Sequence, residues 1–170
     1  MTELIPVETS AQVAAVAALA RAVWSEHYVP IIGQAQVDYM LDAFQSGQAI
    51  DGQLAEGYEY YLLSDGERNT GYLAVVPDAE AGTLMLSKLY VVKAERGRGY
   101  GRMMIDFARR LSRERGLKTL WLTVNKHNTE SIAWYRRMGF VSVGPTVQDI
   151  GGGFVMDDYR MEMTVDPNVP

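Results

Sequence analysis

An apolar strand that runs directly into a glycine-rich, basic segment is the feature that most constrains this chain. The strand is predicted over residues 83–92, and glycines stand at alternate positions from Gly97 to Gly101. A helix with a regular apolar stripe is predicted next, from Gly99 to Glu114. Glycine lets the backbone approach a bound group closely, and the positive end of a helix attracts anions. The pattern therefore predicts a phosphate site between a strand and a helix.

Two familiar phosphate-binding motifs are excluded at this segment. A dinucleotide fingerprint, G-x-G-x-x-G, would need a third glycine where Arg102 stands. A P-loop needs a Gly-Lys pair, which the chain does not contain. The pattern R-x-x-G-x-G remains at residues 96–101, where Arg98 and Arg102 add positive charge. The alternative at this point is a glycine-rich turn that holds no ligand.

The basic residues are concentrated in one part of the chain. Residues 88–137 hold thirteen of the sixteen lysines and arginines but only four acids, a local charge of +9, and the other residues sum to −14. This distribution favours an anionic ligand at the basic part and a cationic one at the acidic part. Solvated basic helices, or a domain that binds phosphate or nucleic acid, are the alternatives. We expect no nucleic-acid partner, because the net charge is −5 and no aromatic-rich recognition pattern is present.

Length and composition predict one globular domain over residues 1–170. With 48% hydrophobic residues the chain can bury a core of its own. It has no cysteine, which excludes disulfides, a thiolate nucleophile and cysteine-ligated metals, and its two histidines lie too far apart to form a metal motif. No apolar run approaches the ~20 residues of a membrane span, and the amino terminus does not resemble a signal peptide. We expect a cytoplasmic protein with no metal and no membrane partner.

The remaining periodicity predicts a mixed order of strands and helices. Before the glycine-rich segment, helices are expected over about residues 11–26, capped by Ser10, and over about 34–45. After it, a helix capped by Thr129 is expected to reach about Met138. A strand beginning over residues 140–143 and a last strand over 154–164 complete the chain.

Two blocks of sequence together resemble the GCN5-related N-acetyltransferase (GNAT) superfamily. The first block, residues 87–101, is similar to the acyl-CoA loop of that superfamily. The second block, residues 124–140, carries the family's asparagine as Asn128, an Ile-Ala pair, a tyrosine as Tyr135 and a closing Gly-Phe. Residues 28–40 and 149–159 are also similar to a bacterial branch near PaiA-type polyamine acetyltransferases.

The resemblance implies the GNAT fold and its reaction. The expected fold class is α/β (α+β): a mixed, mostly antiparallel central sheet of about six to seven strands, splayed at the acyl-CoA site and flanked by about four helices. The implied enzyme moves an acetyl group from acetyl-CoA directly to a primary amine, expected to be a small cationic amine such as a polyamine. A protein N-terminal acetyltransferase and a non-catalytic acyl-CoA-binding module are the alternatives. A homodimer is the common assembly of the superfamily.

The resemblance also assigns roles to individual residues. Backbone N–H groups at Gly97–Arg102 would cradle the pyrophosphate, and the backbone of Leu89–Val91 would pair with the pantetheine arm like an added strand. Asn128 would hydrogen-bond the cofactor, or alternatively satisfy the local helix backbone. Tyr135 would protonate the departing thiolate, or alternatively be a half-buried core residue. The expected cofactor-binding residues are Leu89, Tyr90, Val91, Arg96, Gly97, Arg98, Gly99, Tyr100, Gly101, Arg102, Asn128 and Tyr135.

The general base is the point at which this chain departs from the family pattern. Ribosomal-protein acetyltransferases have a glutamate on the strand before the asparagine, and Thr123 occupies that position here. A charged amine must lose a proton before it attacks, directly or through ordered water. Glu26, Asp157 and Asp158 are the acidic candidates for the base or for the acceptor site. His127 is expected to be a loop or cap residue.

Overall fold

The computed structural model describes residues 1–166 and 168 and confirms the expected fold class. Its seven strands lie in the order β1-β2-β3-β4-β5-β7-β6. The strands are β1 (Glu3–Pro6), β2 (Glu59–Ser64), β3 (Asn69–Asp78), β4 (Thr83–Val91), β5 (Thr119–Asn125), β6 (Val141–Gly151) and β7 (Phe154–Thr164). The helices are α1 (Ser10–His27), α2 (Val29–Ile32), α3 (Gln34–Phe44), α4 (Gly47–Ala55), α5 (Tyr100–Glu114) and α6 (Thr129–Met138). Six α-helices are thus described where about four were expected.

The described residues form two compact units. The first comprises Met1–Val76 with Lys88–Met104, and the second comprises Pro77–Ser87 with the described residues from Ile105 onward. No described helix is long and apolar enough to cross a membrane.

The first unit holds α1–α4, the antiparallel pairs β1–β2 and β2–β3, and the carboxyl-terminal part of β4. The apolar stripe of α1 is buried, as its spacing predicted: Val13, Val16, Ala20, Val23 and Trp24. The prediction that Ser10 caps this helix is wrong by one residue. Thr9 is the N-cap, because its hydroxyl accepts from the Gln12 N–H at 3.2 Å while the Gln12 side chain accepts from the Thr9 N–H at 2.9 Å. This reciprocal pair satisfies two backbone donors at once.

The second unit is built on β5, whose alternate residues Leu120, Leu122 and Val124 are buried. β5 pairs in parallel with β4, where Thr119–Trp121 lie opposite Thr83–Met85. The pairs β5–β7 and β6–β7 are antiparallel. β6 is far longer than the residues 140–143 assigned from sequence. Most of its side chains are exposed, so no apolar alternation marks its length. Its extent comes from pairing with β7.

Gly71 on β3 occupies a place where no side chain fits. A Cβ atom there would press on the carbonyl oxygen of Tyr90 and lie 3.3 Å from Val91 Cα, so backbone would have to move. We predict that Gly71→Ala lowers the free energy of unfolding by about 1–3 kcal/mol, measured by urea denaturation. Gly52→Ala is the control, since its Cβ would meet nothing within 4 Å and helix propensity favours alanine. A Gly71→Ala protein as stable as wild type would contradict this account.

Candidate active site

The glycine loop, defined as residues 96–101, joins β4 to α5. The Val92 N–H donates to the Thr70 carbonyl at 2.9 Å, and a single 3-10 turn, Lys93–Glu95, leads into the loop. Gly97 and Gly99 have φ angles of 81° and 83°, which glycine adopts without the penalty of a side chain. Alternating backbone of this kind gathers N–H groups into an anion-binding concavity. The first turn of α5 adds N–H groups with no partner within the helix.

A buried carboxylate braces the glycine loop from below. Glu95 is only 6% exposed, and its two oxygens lie 2.9 Å from Arg68 Nη2 and 3.2 Å from Arg98 Nη1. Arg96 also faces its own strand, because its Nε donates to the Val91 carbonyl at 3.1 Å. Sequence analysis missed Arg68, which lies 27 positions from Glu95 and carries no local signal. The contacts of Arg96 and Arg98 therefore stabilise the conformation of the glycine loop.

Aromatic side chains cluster beside the end of β4 in the first unit. The aromatic cluster consists of Trp24, Tyr28, Tyr72 and Tyr90. Trp24 and Tyr28 stack at 4.3 Å between centroids, and the Tyr90 ring lies 5.7 Å from Trp24 and 5.3 Å from Tyr72. Tyr28 and Tyr90 are half-buried, and so is Leu89, the residue before Tyr90 in the chain. Glu26, near the end of α1, is exposed, and its role as a base or acceptor-site residue stays a prediction.

In the second unit, Asn128 and Tyr135 lie on α6. Asn128, not the expected Thr129, is the N-cap, and its Oδ1 accepts from the Ser131 N–H at 3.4 Å. The side chain is 3% exposed, and its Nδ2 has no hydrogen-bond partner within residues 1–166 and 168. The Tyr135 ring is half-buried, 5.6 Å from the Phe140 ring. Asn128 thus satisfies the helix backbone and still has a buried donor left for a ligand.

The two acidic candidates of the second unit differ in environment. Asp157 is exposed enough to form an ion pair with Lys126 Nζ at 2.7 Å. Asp158 is 4% exposed and lies opposite Asn125 across the β5–β7 pair. The pKa of Asp158 is raised to about 6, mainly by burial and in smaller part by the neighbouring Asp157 charge, while a hydrogen bond with Thr123 acts in the opposite direction. A carboxyl group from β7 therefore stands beside Thr123 on β5.

Two further features bear on the chemistry that this chain offers. His127 is an exposed loop residue whose backbone N–H donates to Asn125 Oδ1 at 2.9 Å, as expected for a turn. Within the described part of the chain, no three His, Asp or Glu residues come together as a metal site.

Residues 17–140 match a family model described as the acetyltransferase (GNAT) family. The chain belongs to this family. The resemblance of the two sequence blocks is thereby confirmed. Streptothricin acetyltransferase of Streptomyces lavendulae is 38% identical over 94 residues, which are 55% of this chain and 50% of that protein. The chain thus spans about half the length of this GNAT relative.

Solved structures of N-acetyltransferases share the fold over nearly the whole chain. The PaiA N-acetyltransferase from Thermoplasma acidophilum, in complex with coenzyme A, has a TM-score of 0.79 at 16% identity and covers 96% of this chain and 99% of its own. The ribosomal-protein-S18-alanine N-acetyltransferase from Escherichia coli has a TM-score of 0.71 at 18% identity, covering 100% and 99%. At these identities the likeness establishes a common fold.

The raised pKa of Asp158 predicts how stability depends on pH. The folded protein binds this proton more tightly than the unfolded chain, so stability falls as pH rises from about 4 to about 6. We predict that Asp158→Asn raises the free energy of unfolding by about 1–3 kcal/mol at pH 7.5 and changes it little near pH 4. Urea denaturation at both pH values measures this. Asp51→Asn, on the exposed surface of α4, is the control, and a destabilised Asp158→Asn protein at pH 7.5 would contradict the prediction.

Proposed function

We propose that the protein is an N-acetyltransferase that moves the acetyl group of acetyl-CoA directly to a primary amine. The observation that carries this proposal is the glycine loop. After β4 the chain forms a turn held by the Glu95–Arg98 ion pair, then two glycines with left-handed backbone, and then the start of α5. Membership of the acetyltransferase family supports the same chemistry.

Acetyl-CoA is the proposed co-substrate. Backbone N–H groups at Gly97–Arg102 hold the pyrophosphate. The hydroxyl of Tyr100, which lies within this segment, is 3.5 Å from Thr2 Oγ1. The edge of Leu89–Val91 pairs with the amides of the pantetheine arm. The buried Nδ2 of Asn128, which lacks a partner within the described chain, donates to the cofactor. An unmade hydrogen bond of this kind is costly, so a ligand that completes it gains affinity.

Tyr135 is the proposed general acid. A phenol has an ordinary pKa of about 10 and a thiol one of about 8.5, so donation to the departing thiolate is uphill by only ~1.5 units. The thiolate is itself a fair leaving group. The benefit therefore falls near the low end of the usual ~10²–10⁴-fold range for acid catalysis.

The proposed acceptor is a small cationic amine, such as a polyamine. Outside residues 88–137 the chain carries a formal charge of −14, which attracts cations. Asp158 is the residue that we assign to the acceptor site, because it is buried and ionised above about pH 6. Asp157 is the weaker candidate, since its carboxylate is already paired with Lys126. An acceptor ammonium beside Asp158 would replace the hydration that burial removes.

Acetyl-CoA should stabilise the wild-type protein, because a ligand that binds only the folded state raises its Tm. With acetyl-CoA and a panel of amines we expect release of CoA thiol, and a higher kcat/KM for 1,4-diaminobutane than for butylamine. The chain has no cysteine, so a thiol reagent reports the product without a protein background. A peptide with a free amino terminus completes the panel, and its preference over the diamine would replace the polyamine proposal.

A matched pair of variants tests the loop in the same assay. Gly99→Val should lose the acetyl-CoA shift. Gly66→Val should keep it, although Gly66 also has a positive φ, at 99°, with nothing within 4 Å of an added Cβ. Both variants place a valine at a position with left-handed backbone and open space around the Cβ. A loss of the acetyl-CoA shift in Gly99→Val alone therefore reports the loss of ligand binding. An unaltered shift in a folded Gly99→Val protein would place the phosphates elsewhere.

Tyr135→Phe should lower kcat by roughly ten- to a hundredfold, because the proton donor is lost while the ring remains. The acetyl-CoA shift should be unchanged. Steady-state kinetics at saturating acetyl-CoA measure the effect, with Tyr39→Phe on α3 as a half-buried tyrosine outside the proposed site. A wild-type kcat in a folded Tyr135→Phe protein would remove the role.

A further inference from the structure

Lys88 is a buried amine without a counter-charge. It lies on β4 directly before Leu89 and is 7% exposed. Its Nζ donates to Gln53 Oε1 at 2.9 Å and to the Tyr60 hydroxyl at 2.5 Å. No carboxylate of the described chain lies within ion-pair distance of it. All of these residues belong to the first unit.

The surroundings of Lys88 favour its neutral form. Burying an ammonium group without an anionic partner is unfavourable, and a lysine responds by losing its proton. Burial lowers the pKa of Lys88 to about 7. The side chains that face it are the amide of Gln53 on α4 and the rings of Tyr58 and Tyr60, at 5.6 and 5.0 Å. Burial raises the pKa of Tyr60 and of Tyr72, so these phenols stay protonated and supply no negative charge near Lys88.

The position of Lys88 relates it to the aromatic cluster. Side chains two residues apart on a strand share one face of the sheet at ~7 Å spacing, so Lys88 and Tyr90 lie on the same face. The Tyr90 ring meets Tyr28, which caps the carboxyl-terminal end of α1. Aromatic faces and the negative end of a helix both attract cations. An ammonium group held at the half-buried rings would therefore lie on the same face of the sheet as the neutral amine of Lys88, two residues along the strand.

We propose that Lys88 is the general base that takes the proton from the ammonium group of the acceptor, an inference that rests on the acetyltransferase function proposed above. The Lys88 nitrogen accepts one proton, and the freed amine attacks the thioester carbonyl. The new C–N bond forms, the C–S bond breaks, Tyr135 gives its proton to the departing thiolate, and the second proton of the attacking nitrogen restores the phenol of Tyr135 through solvent. Lys88 then returns its proton to solvent. The products are an N-acetyl amine, CoA thiol and one proton.

A neutral lysine suits this role better than a charged residue at the same place. A cationic Lys88 would repel the acceptor, whereas the neutral form has a lone pair and no charge. A base with a pKa near the working pH balances availability against strength.

Lys88→Met is the first test, because methionine has a similar length and no proton to exchange. The variant leaves no new unpaired group, since the Tyr60 hydroxyl also donates to Gln53 Oε1. Lys88→Arg is the second variant: it keeps hydrogen bonding but stays charged, since guanidinium does not lose its proton in proteins. Lys118→Met, at an exposed lysine, is the matched control. Thermal unfolding with and without acetyl-CoA checks that each variant folds and binds the cofactor.

The expected result is a loss of about a hundredfold in kcat/KM for 1,4-diaminobutane in Lys88→Met and Lys88→Arg. Wild-type kcat/KM should rise with pH through a midpoint near 7, because the base must be unprotonated. In Lys88→Met only a limb near 6, where Asp158 ionises, should remain, whereas Lys118→Met should keep the limb near 7. A lysine with a purely structural role would change stability without moving the pH profile.

Three outcomes would overturn the proposal. One is wild-type turnover together with an unaltered pH profile in Lys88→Met, which removes the role of Lys88 alone. Another is a wild-type protein that binds acetyl-CoA but acetylates none of the amines, which removes the proposed function and this role with it. The third is independent of activity: NMR of ¹³C-labelled lysines, with the Lys88 signal assigned by its absence from Lys88→Met, showing an ordinary midpoint of about 10.4.

Discussion

The ion pairs of Glu95 fix the turn at which β4 becomes the glycine loop. A carboxylate that is 6% exposed must keep its partners, because a buried charge without one is strongly unfavourable. Arg68 reaches it from the segment between β2 and β3, and Arg98 from within the loop. The close approach of β3 at Gly71 to the backbone at Tyr90 and Val91 holds the same turn from its other side. The left-handed backbone at Gly97 and Gly99 can then present a constant surface to phosphate.

The first unit buries Lys88 and the second buries Asp158, against the ordinary preference of charged side chains for exposure. Burial shifts the pKa of Asp158 upward and that of Lys88 downward, and both values approach neutrality. Groups of this kind are common where protons are transferred. Each pKa shift comes mainly from burial, and no ion pair dominates either one. This common origin gives the proposed acceptor chemistry its physical basis.

Much of the fold could be predicted from local sequence. The helix α1, the strand before the glycine loop and the end of α6 at Met138 were all correctly placed, because apolar spacing and turn residues act within a few positions of the chain. The short helix α2 and the full length of β6 were not. Val29–Ile32 is too short to show a period, and the exposed side chains of β6 show no alternation. Both predicted N-caps, Ser10 and Thr129, lie one residue after the observed N-caps, Thr9 and Asn128. In each pair both residues have side chains that can accept a hydrogen bond from the first turn of the helix, and the earlier residue does so.

By itself the sequence determined the glycine loop, the strand and helix on either side of it, and the family to which the chain belongs. Only the tertiary structure decided which charged groups are paired and which are neutral. Glu95 pairs with Arg68, which is 27 positions away, and Lys88 donates to Gln53, which is 35 positions away. Asp158 forms a hydrogen bond with Thr123 because of the register in which β7 pairs with β5. Periodicity and motifs report interactions between neighbours in the chain. Burial and electrostatic partners are set by strand order and register, which bring together residues that no local pattern connects.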